Sequence, residues 1–169
     1  PTYQQVYTDL TGHVECVKVV YEEDLISLAT LCRLFFKSID PLLKNRQGDD
    51  TGTRYRTGIY WEDDTDCQTV VQIFDEVQRC YDQPLAVEKS PLLSFYPAEE
   101  YHQDYLYKNP EGYCHISMDI LRFAKTYSNI IRSLRACSSE EKQKILPGFF
   151  KTGKGEYAEG DRFLGVSVS

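Results

Sequence analysis

YRTGIYWEDDTDCQTVVQIFDEVQRCYDQPLAVEK, residues 55–89, is the stretch that decides the fold of this chain. Its β-branched and aromatic beginning, residues 55–61, is typical of a strand. Residues 64–81 place apolar side chains at helical spacing, which predicts a helix with Val70, Val71, Phe74 and Val77 facing inward. Residues 85–89 form a second short apolar run, so the stretch predicts a strand, a helix and another strand.

The same alternation begins upstream of this stretch. Residues 13–21, HVECVKVVY, are predicted to form a strand, and residues 24–38 a helix that ends before Pro41. Residues 97–108 are predicted to form a third helix, with Pro97 in its first turn. This order favours an α+β fold, a mixed-sheet two-layer sandwich. Three strands make a thin sheet for two packed helices, so we expect an element to be missing at the N-terminal end.

The composition limits the possible functions. A net charge of −7 over 169 residues argues against binding to double-stranded nucleic acid, which needs a basic surface. No apolar run has the length of a membrane span, and the first ten residues lack the features of a signal peptide. We therefore expect no membrane partner and a cytoplasmic location. The six cysteines show neither a C-x-x-C pair nor zinc-ligand spacing, so we predict no metal site and no cofactor.

Charge divides the chain near residue 117. Residues 117–169 contain nine Lys and Arg and six Asp and Glu and so carry +3, whereas residues 1–116 carry −10. Residues 120–136 have the spacing of an amphipathic helix, and a glycine-rich loop follows at residues 148–155. We therefore predict two parts, with residues 1–116 as the α+β domain and residues 117–169 as a helical C-terminal appendage.

Glu15 is the first candidate for chemistry. In the predicted strand it shares a face with apolar residues, and loss of solvent there would raise its pKa and keep the carboxyl protonated near neutral pH. A protonated carboxyl can deliver a proton to an oxygen atom. A glutamate at the sheet rim, paired with a basic residue, fits this position equally well.

Tyr3, Tyr55 and Asp50 would complete a polar pocket around such an acid. Tyrosine hydroxyls stabilise charge that develops on an oxygen atom, and a loop aspartate can orient a donor. The chain has thirteen tyrosines, however, and most tyrosines pack as apolar rings with a polar tip. A lone loop aspartate more often stabilises a turn.

Cys114 lies near the end of an aromatic-rich stretch, SFYPAEEYHQDYLYKNPEGYCHI, at residues 94–116. A Gly-Tyr-Cys sequence after an Asn-Pro turn suits a thiol on a mobile tail better than a thiol in a core. We interpret His102 as a structural helix residue, because the chain lacks the i, i+4 histidine pair of a zinc helix. The other early cysteines are predicted to be small buried hydrophobic residues: Cys16, Cys32, Cys67 and Cys80. Together these features predict thiol chemistry in a polar, tyrosine-lined pocket.

Four segments, PTYQQV, TGHVECVKVVYE, IDPLLKNRQGDDTGTRYRTGIYW and FYPAEEYHQDYLYKNPEGYCHI, resemble in order and spacing the A-type peptide methionine sulfoxide reductases, over residues 1–116. The resemblance implies repair of oxidised protein or free methionine by thiol-dependent reduction of methionine-S-sulfoxide, with thioredoxin as the reductant. It implies that Glu15 protonates the leaving oxygen and that Tyr3 and Tyr55 bind that oxygen. It further implies that Asp50 supports substrate binding and that Cys114 is the resolving cysteine.

The printed sequence departs from this family pattern at its start. The nucleophilic cysteine of the family stands in a Gly-Cys-Phe-Trp motif upstream of P-T-Y, whereas this chain begins at Pro1. We therefore expect a ferredoxin-like core that is truncated at its N-terminus, and we expect the chain as given to be inactive. A non-catalytic module that binds oxidised methionine is the alternative.

The C-terminal part has a resemblance of its own. Residues 129–168, which contain FFKTGKGEYAEGDRFLG, resemble the opening of the helical-repeat DNA alkylation repair glycosylases. The base-excision residues of that family are not in this chain, so no site residue is carried over. A DNA repair role of this segment is a second alternative, and residues 1–116 are expected to bind no nucleic acid.

Overall fold

The architecture was obtained as a computed structural model, which describes residues 1–114, 116, 118–120, 122, 125 and 162–167. Its helices are α1 (Tyr3–Tyr7), α2 (Leu28–Ser38), α3 (Asp66–Gln78) and α4 (Tyr105–Lys108), and a 3-10 turn spans Thr53–Tyr55. Its strands are β1 (Val17–Tyr21), β2 (Arg46–Gln47), β3 (Asp50–Thr51), β4 (Gly58–Trp61), β5 (Glu88–Pro91) and β6 (Arg162–Ser167). Over these described residues, no helix has both the length and the apolar character that crossing a membrane requires.

The main sheet is mixed and has four strands in the order β1-β6-β4-β5. β4 and β5 are parallel, and the chain between them contains α3, as parallel neighbours require a long crossover. β6 is antiparallel to both β1 and β4, and Leu164 lies opposite Val19 on one side and Trp61 on the other. A separate antiparallel hairpin pairs β2 with β3.

The main sheet contains a strand that the sequence did not predict. The missing element was expected at the N-terminal end, whereas the fourth strand of the structure is β6, from the C-terminal part. That part was predicted to be a helical appendage, so the prediction is wrong for residues 162–167. Periodicity describes neighbours along the chain and carries no information on pairing between residues so far apart. Most of the predicted helix at 120–136 and all of the glycine-rich loop lie outside the described residues, and the division at residue 117 stays a prediction.

Helix α2 begins with a serine cap. The Ser27 side chain accepts a hydrogen bond from the backbone N–H of Thr30 (3.3 Å), which satisfies one donor of the first turn. The helix therefore starts later than the predicted residue 24. Residues 25 and 26 instead form a turn in which both N–H groups donate to the carbonyl of Glu22.

The core is built from side chains of α2, α3, β1 and β4 and of Val87, just before β5. Helices α2 and α3 contact each other, and α3 contacts β4 and β5. The ring of Phe36 lies edge-on to the rings of Phe35 and Phe74, with centroids 5.4 and 5.6 Å apart, a preferred aromatic arrangement. The other buried members of this core are Tyr21, Leu28, Cys32, Ile59, Trp61, Val70, Ile73 and Val87.

Several predicted boundaries are wrong at the ends of the elements. The strand predicted at 13–21 begins only at Val17, because the Glu15 N–H donates to the carbonyl of Arg54 in a loop (3.0 Å) rather than to a sheet neighbour. The helix predicted at 97–108 is reduced to α4, and residues 100–104 form turns. Helix α1 was not predicted. These corrections place Glu15 in a loop and Tyr3 in helix α1.

Candidate functional site

Tyr3 is positioned by the short capped helix α1. Thr2 and Gln5 form a capping box, in which the Thr2 Oγ1 accepts from the Gln5 N–H (3.3 Å) and the Gln5 Oε1 accepts from the Thr2 N–H (2.9 Å). The Tyr3 N–H donates to the Glu99 carboxylate (3.0 Å), and the Tyr3 ring lies 4.2 Å from the ring of His102. The turn around residues 99–103 therefore holds the start of α1 in place.

Glu15 lies in the loop before β1, so the predicted strand face is not what buries it. Its side chain is 32% exposed overall, yet its Oε1 atom is buried, and the Nε atom of Arg54 lies 3.9 Å from that oxygen. Burial raises the pKa of Glu15, the positive charge of Arg54 lowers it, and the charges of Asp50 and Asp9 raise it. The pKa of Glu15 is raised overall, because the loss of solvent around the carboxylate outweighs the attraction of the neighbouring cation.

Tyr55 ends the 3-10 turn and is buried. Burial raises its pKa, a hydrogen bond with Arg54 lowers it, and the charges of Glu15 and Asp50 raise it. The pKa of Tyr3 is also raised, first by burial and then by Glu15 and Tyr55. The Arg54 guanidinium lies 3.9 Å from the Glu15 Oε1 and 4.4 Å from the ring centre of Tyr55, so the structure places Glu15 and Tyr55 around one cation, and Tyr3 and Asp50 interact with these two residues electrostatically.

Cys114 belongs to the neighbouring tail. The hydroxyl of Tyr113 accepts a hydrogen bond from the backbone N–H of Asp49 (3.1 Å), the residue before Asp50 in the β2–β3 hairpin. The Cys114 Sγ lies 3.9 Å from the carbonyl of Ile116. The tail is thus fixed next to the site through Tyr113, one residue before the thiol.

The described cysteines are all free thiols: Cys16, Cys32, Cys67, Cys80 and Cys114. Cys32 is fully buried, as predicted, and burial raises its pKa to about 12. The prediction is wrong for Cys80, which is exposed because α3 ends at Gln78 and leaves it in the following turn. Cys16 and Cys67 are only partly buried.

Arg54 and Asp9 contact the site although the sequence did not point to them. Arg54 is buried, and its guanidinium carbon lies 4.3 Å from the ring centre of Tyr7 and 4.4 Å from that of Tyr55. Its Nη1 donates to the Asp9 carboxylate at 2.7 Å. The one sequence signal for a role of Arg54 is that a basic residue stands directly before Tyr55. No spacing rule connects Arg54 with Asp9. His102 was predicted to lie in a helix, but it lies in a turn, where its ring contacts that of Tyr3.

Comparison with known proteins identifies the family. The sequence model described as "Peptide methionine sulfoxide reductase" matches residues 1–132. The chain belongs to this family. It is 52% identical over 119 residues to the peptide methionine sulfoxide reductase MsrA of Mycoplasma pneumoniae, a match that covers 70% of this chain and 76% of that protein. It is 49% identical over 122 residues to the MsrA of Clostridium acetobutylicum, covering 72% of this chain and 75% of that protein.

Solved structures of similar proteins have the same fold. The reduced form of Mxr1 from Saccharomyces cerevisiae is 37% identical, with a TM-score of 0.66, and the match covers 69% of this chain and 65% of that one. Methionine sulfoxide reductase A of Corynebacterium diphtheriae is 34% identical, with a TM-score of 0.60, and the match covers 68% and 59% of the two chains. The chain thus spans less than two thirds of these solved structures. The fold is that of the methionine sulfoxide reductases, a family of oxidoreductases that reduce methionine sulfoxide.

Proposed function

We propose that this site serves the thiol-dependent reduction of methionine-S-sulfoxide, free or in proteins, to methionine. The observation that carries the proposal is geometric: the Arg54 guanidinium lies 3.9 Å from the Glu15 Oε1 and 4.4 Å from the ring centre of Tyr55, so an acid and a hydroxyl donor lie around one partly buried cation. Burial and then the charge of Glu15 raise the pKa of Tyr3, which adds a second donor to the proposed site. A sulfoxide oxygen needs hydrogen-bond donors and a proton as its bond to sulfur breaks. The family to which the chain belongs supports the same reaction.

In the proposed reaction, a cysteine thiol attacks the sulfoxide sulfur, the oxygen ends on the cysteine as a sulfenic acid, and methionine leaves. The thiol loses two electrons and the sulfoxide gains them. Glu15 donates a proton to the sulfoxide oxygen, which its raised pKa favours. Tyr3 and Tyr55 donate hydrogen bonds to the same oxygen, and Asp50 orients the bound substrate. None of the six cysteines of this chain stands in a Gly-Cys-Phe-Trp motif, and none of them is proposed as the attacking thiol.

Cys114 is proposed as the resolving cysteine. Its thiol attacks the sulfenic acid sulfur, a disulfide forms, and the oxygen leaves as water. Thioredoxin then reopens the disulfide by thiol exchange. The contact between Tyr113 and Asp49 supports this role, because it ties the tail to the hairpin that carries Asp50. Free thiols at the described cysteines suit a reducing compartment such as the cytoplasm.

Calorimetric titration tests the binding half of the proposal. The 169-residue chain should bind a methionine-S-sulfoxide peptide about tenfold more tightly than the same peptide with methionine. Tyr55→Phe removes one hydroxyl donor and should weaken binding of the oxidised peptide about fivefold, which corresponds to roughly 1 kcal/mol. Tyr107→Phe is the matched control, because Tyr107 is 89% exposed and should leave the affinity unchanged.

A turnover assay on the same protein distinguishes catalysis from binding alone. Selective binding without turnover when dithiothreitol is the reductant would show that none of the six cysteines of this chain acts as the nucleophile. Turnover would show that one of the six cysteines of this chain is the nucleophile. Equal affinity for the oxidised and the reduced peptide would contradict the proposed site.

A further inference from the structure

Asp9 has a backbone conformation that few residues other than glycine adopt. Its φ angle is 59°, in the left-handed region. Its carboxylate accepts hydrogen bonds from the hydroxyl of Thr53 (3.0 Å), from the backbone N–H of Arg54 (2.8 Å) and from the Nη1 of Arg54 (2.7 Å). Such a conformation persists where its surroundings hold it. Asp9 is therefore fastened to the turn that leads into Tyr55.

The turn is shaped to receive this carboxylate. Gly52 has a φ angle of 140°, and a Cβ atom at this residue would lie 2.7 Å from the Asp9 Oδ2 and 3.0 Å from the Arg54 Nη1. Glycine is the residue that permits both the backbone angle and the close approach. The contact between Asp9 and Arg54 thus depends on the local backbone, unlike an ordinary ion pair between two flexible surface side chains.

Arg54 in turn contacts two of the predicted site residues. Its guanidinium lies between the rings of Tyr7 and Tyr55, at distances that are favourable for cation–π contacts. Its Nε lies 3.9 Å from the Glu15 Oε1, and its carbonyl accepts the Glu15 N–H at 3.0 Å. A displacement of this side chain would therefore change both the packing of Tyr55 and the charge beside Glu15.

We propose that Asp9 and Arg54 form a clamp that positions Tyr55 and Glu15 around the sulfoxide oxygen. The inference rests on the proposed function and adds two residues to it. Asp9 holds the guanidinium, and the guanidinium holds the Tyr55 ring and keeps a positive charge beside the Glu15 carboxyl. Both are positioning residues, since they act through Tyr55 and Glu15 rather than on the substrate.

Asp9→Gly is the decisive variant. Glycine adopts a φ angle of 59° without strain, so the change removes the carboxylate and leaves the backbone path intact. If Arg54 stayed in place, loss of the negative charge of Asp9 would lower the pKa of Glu15, because Asp9 raises it. If the clamp is real, Arg54 leaves Glu15, and the pKa of Glu15 stays at or rises above its wild-type position.

The titration of Glu15 is read by carbon-13 NMR of its carboxyl carbon, assigned by the signal that disappears in Glu15→Gln. The charged groups that also shape the curve of Glu15 are Arg54, Asp50 and Asp9, while Tyr3 and Tyr55 stay neutral because their pKa values are raised above 10.0, first by burial. Asp9→Gly changes one of them directly, and the sign of the shift shows whether Arg54 has moved. A purely structural role of Asp9 in stability would not determine that sign.

Peptide binding provides the second measurement. We expect Asp9→Gly to weaken binding of the methionine-S-sulfoxide peptide about tenfold, as for loss of one well-placed hydrogen bond. Arg54→Lys keeps the positive charge but loses the planar guanidinium group that contacts Tyr55 and Asp9, so it should also weaken binding. Arg33→Lys is the matched control, because Arg33 makes a surface ion pair with Glu76 at 2.8 Å and should leave binding unchanged.

The outcomes are distinct. A fall in the Glu15 pKa in Asp9→Gly overturns the clamp, whatever happens to binding. Wild-type affinity in both Asp9→Gly and Arg54→Lys overturns its role in positioning. If the wild-type chain itself does not distinguish oxidised from reduced peptide, the proposed function has failed, and the NMR titration alone then decides whether the clamp exists.

Discussion

Glu15→Gln tests whether a buried, protonatable carboxyl exists in this protein. Folding raises the pKa of Glu15 above its ordinary value of 4.5, chiefly by burial. The folded state therefore binds this proton more tightly than the unfolded state does. The resulting stabilisation is fully present below about pH 4.5 and is lost as the pH rises through the folded-state pKa. Glutamine has nearly the same shape and does not titrate, so the variant lacks this pH dependence.

The expected magnitude follows from the size of the pKa elevation. Each unit of elevation corresponds to about 1.4 kcal/mol of folding free energy. The free energy of unfolding of the wild type minus that of Glu15→Gln should be largest below about pH 4.5 and should fall as the pH rises through the folded-state pKa, by a total of about 1.4 kcal/mol for each unit of elevation that the NMR titration finds. The NMR titration of Glu15 gives the elevation independently, so the two measurements must agree.

Urea denaturation at a series of pH values provides the assay, and Glu76→Gln is a control of opposite sign. The hydrogen bond from Arg33 lowers the pKa of Glu76, so its contribution is present at neutral pH and is lost as the pH falls through the lowered pKa. The Glu76 side chain is 37% exposed, and screening by solvent should keep its effect small. A Glu15 difference that is flat, or that grows with pH, would refute a buried proton donor at this position.

Three further predictions concern the sheet, the core and the thiols. Ile59→Ala should lower the free energy of unfolding by about 2–5 kcal/mol, because Ile59 is fully buried in β4, whereas Leu93→Ala at a residue 95% exposed should change it by less than about 0.5 kcal/mol in the same urea titration. Leu164→Pro removes a backbone donor from a strand paired on both sides, so it should lower the melting temperature, and an unchanged melting curve would exclude β6 from the sheet. In the native protein at neutral pH, Cys80 should react with a thiol reagent and Cys32 only after denaturation, because Cys32 is buried with its pKa raised to about 12; equal rates would contradict this.

Local patterns predicted the elements of the fold better than their ends. The apolar spacing of residues 64–81 predicted α3, and the β-branched run at 13–21 predicted β1. The early start of the predicted strand was wrong because Glu15 bonds to the carbonyl of Arg54, a contact that no local pattern encodes. The position of β6 between β1 and β4 could not be predicted either, because pairing between distant strands is not encoded in a local pattern.

The candidate site was predicted by residue type and motif, and its electrostatics depended on folding. The motifs singled out Glu15, Tyr3, Tyr55 and Asp50; the structure places Arg54 beside Glu15 and Tyr55, and the roles of the four residues stay predictions. The predicted rise in the Glu15 pKa has the right direction, although the burial comes from a loop and not from a strand face. Arg54 contacts both an acid and a tyrosine of this group, and the sequence alone showed it only as one basic residue in a charged loop.

The sequence by itself therefore determined the family, the main helices and the residue types available for chemistry, since motifs and periodicity are properties of neighbouring residues. The tertiary structure alone decided that Asp9, Arg54 and Glu15 meet, and that a strand from the end of the chain completes the sheet. Burial, charge proximity and strand pairing arise only when distant segments come into contact, and these three quantities set the chemistry of the site.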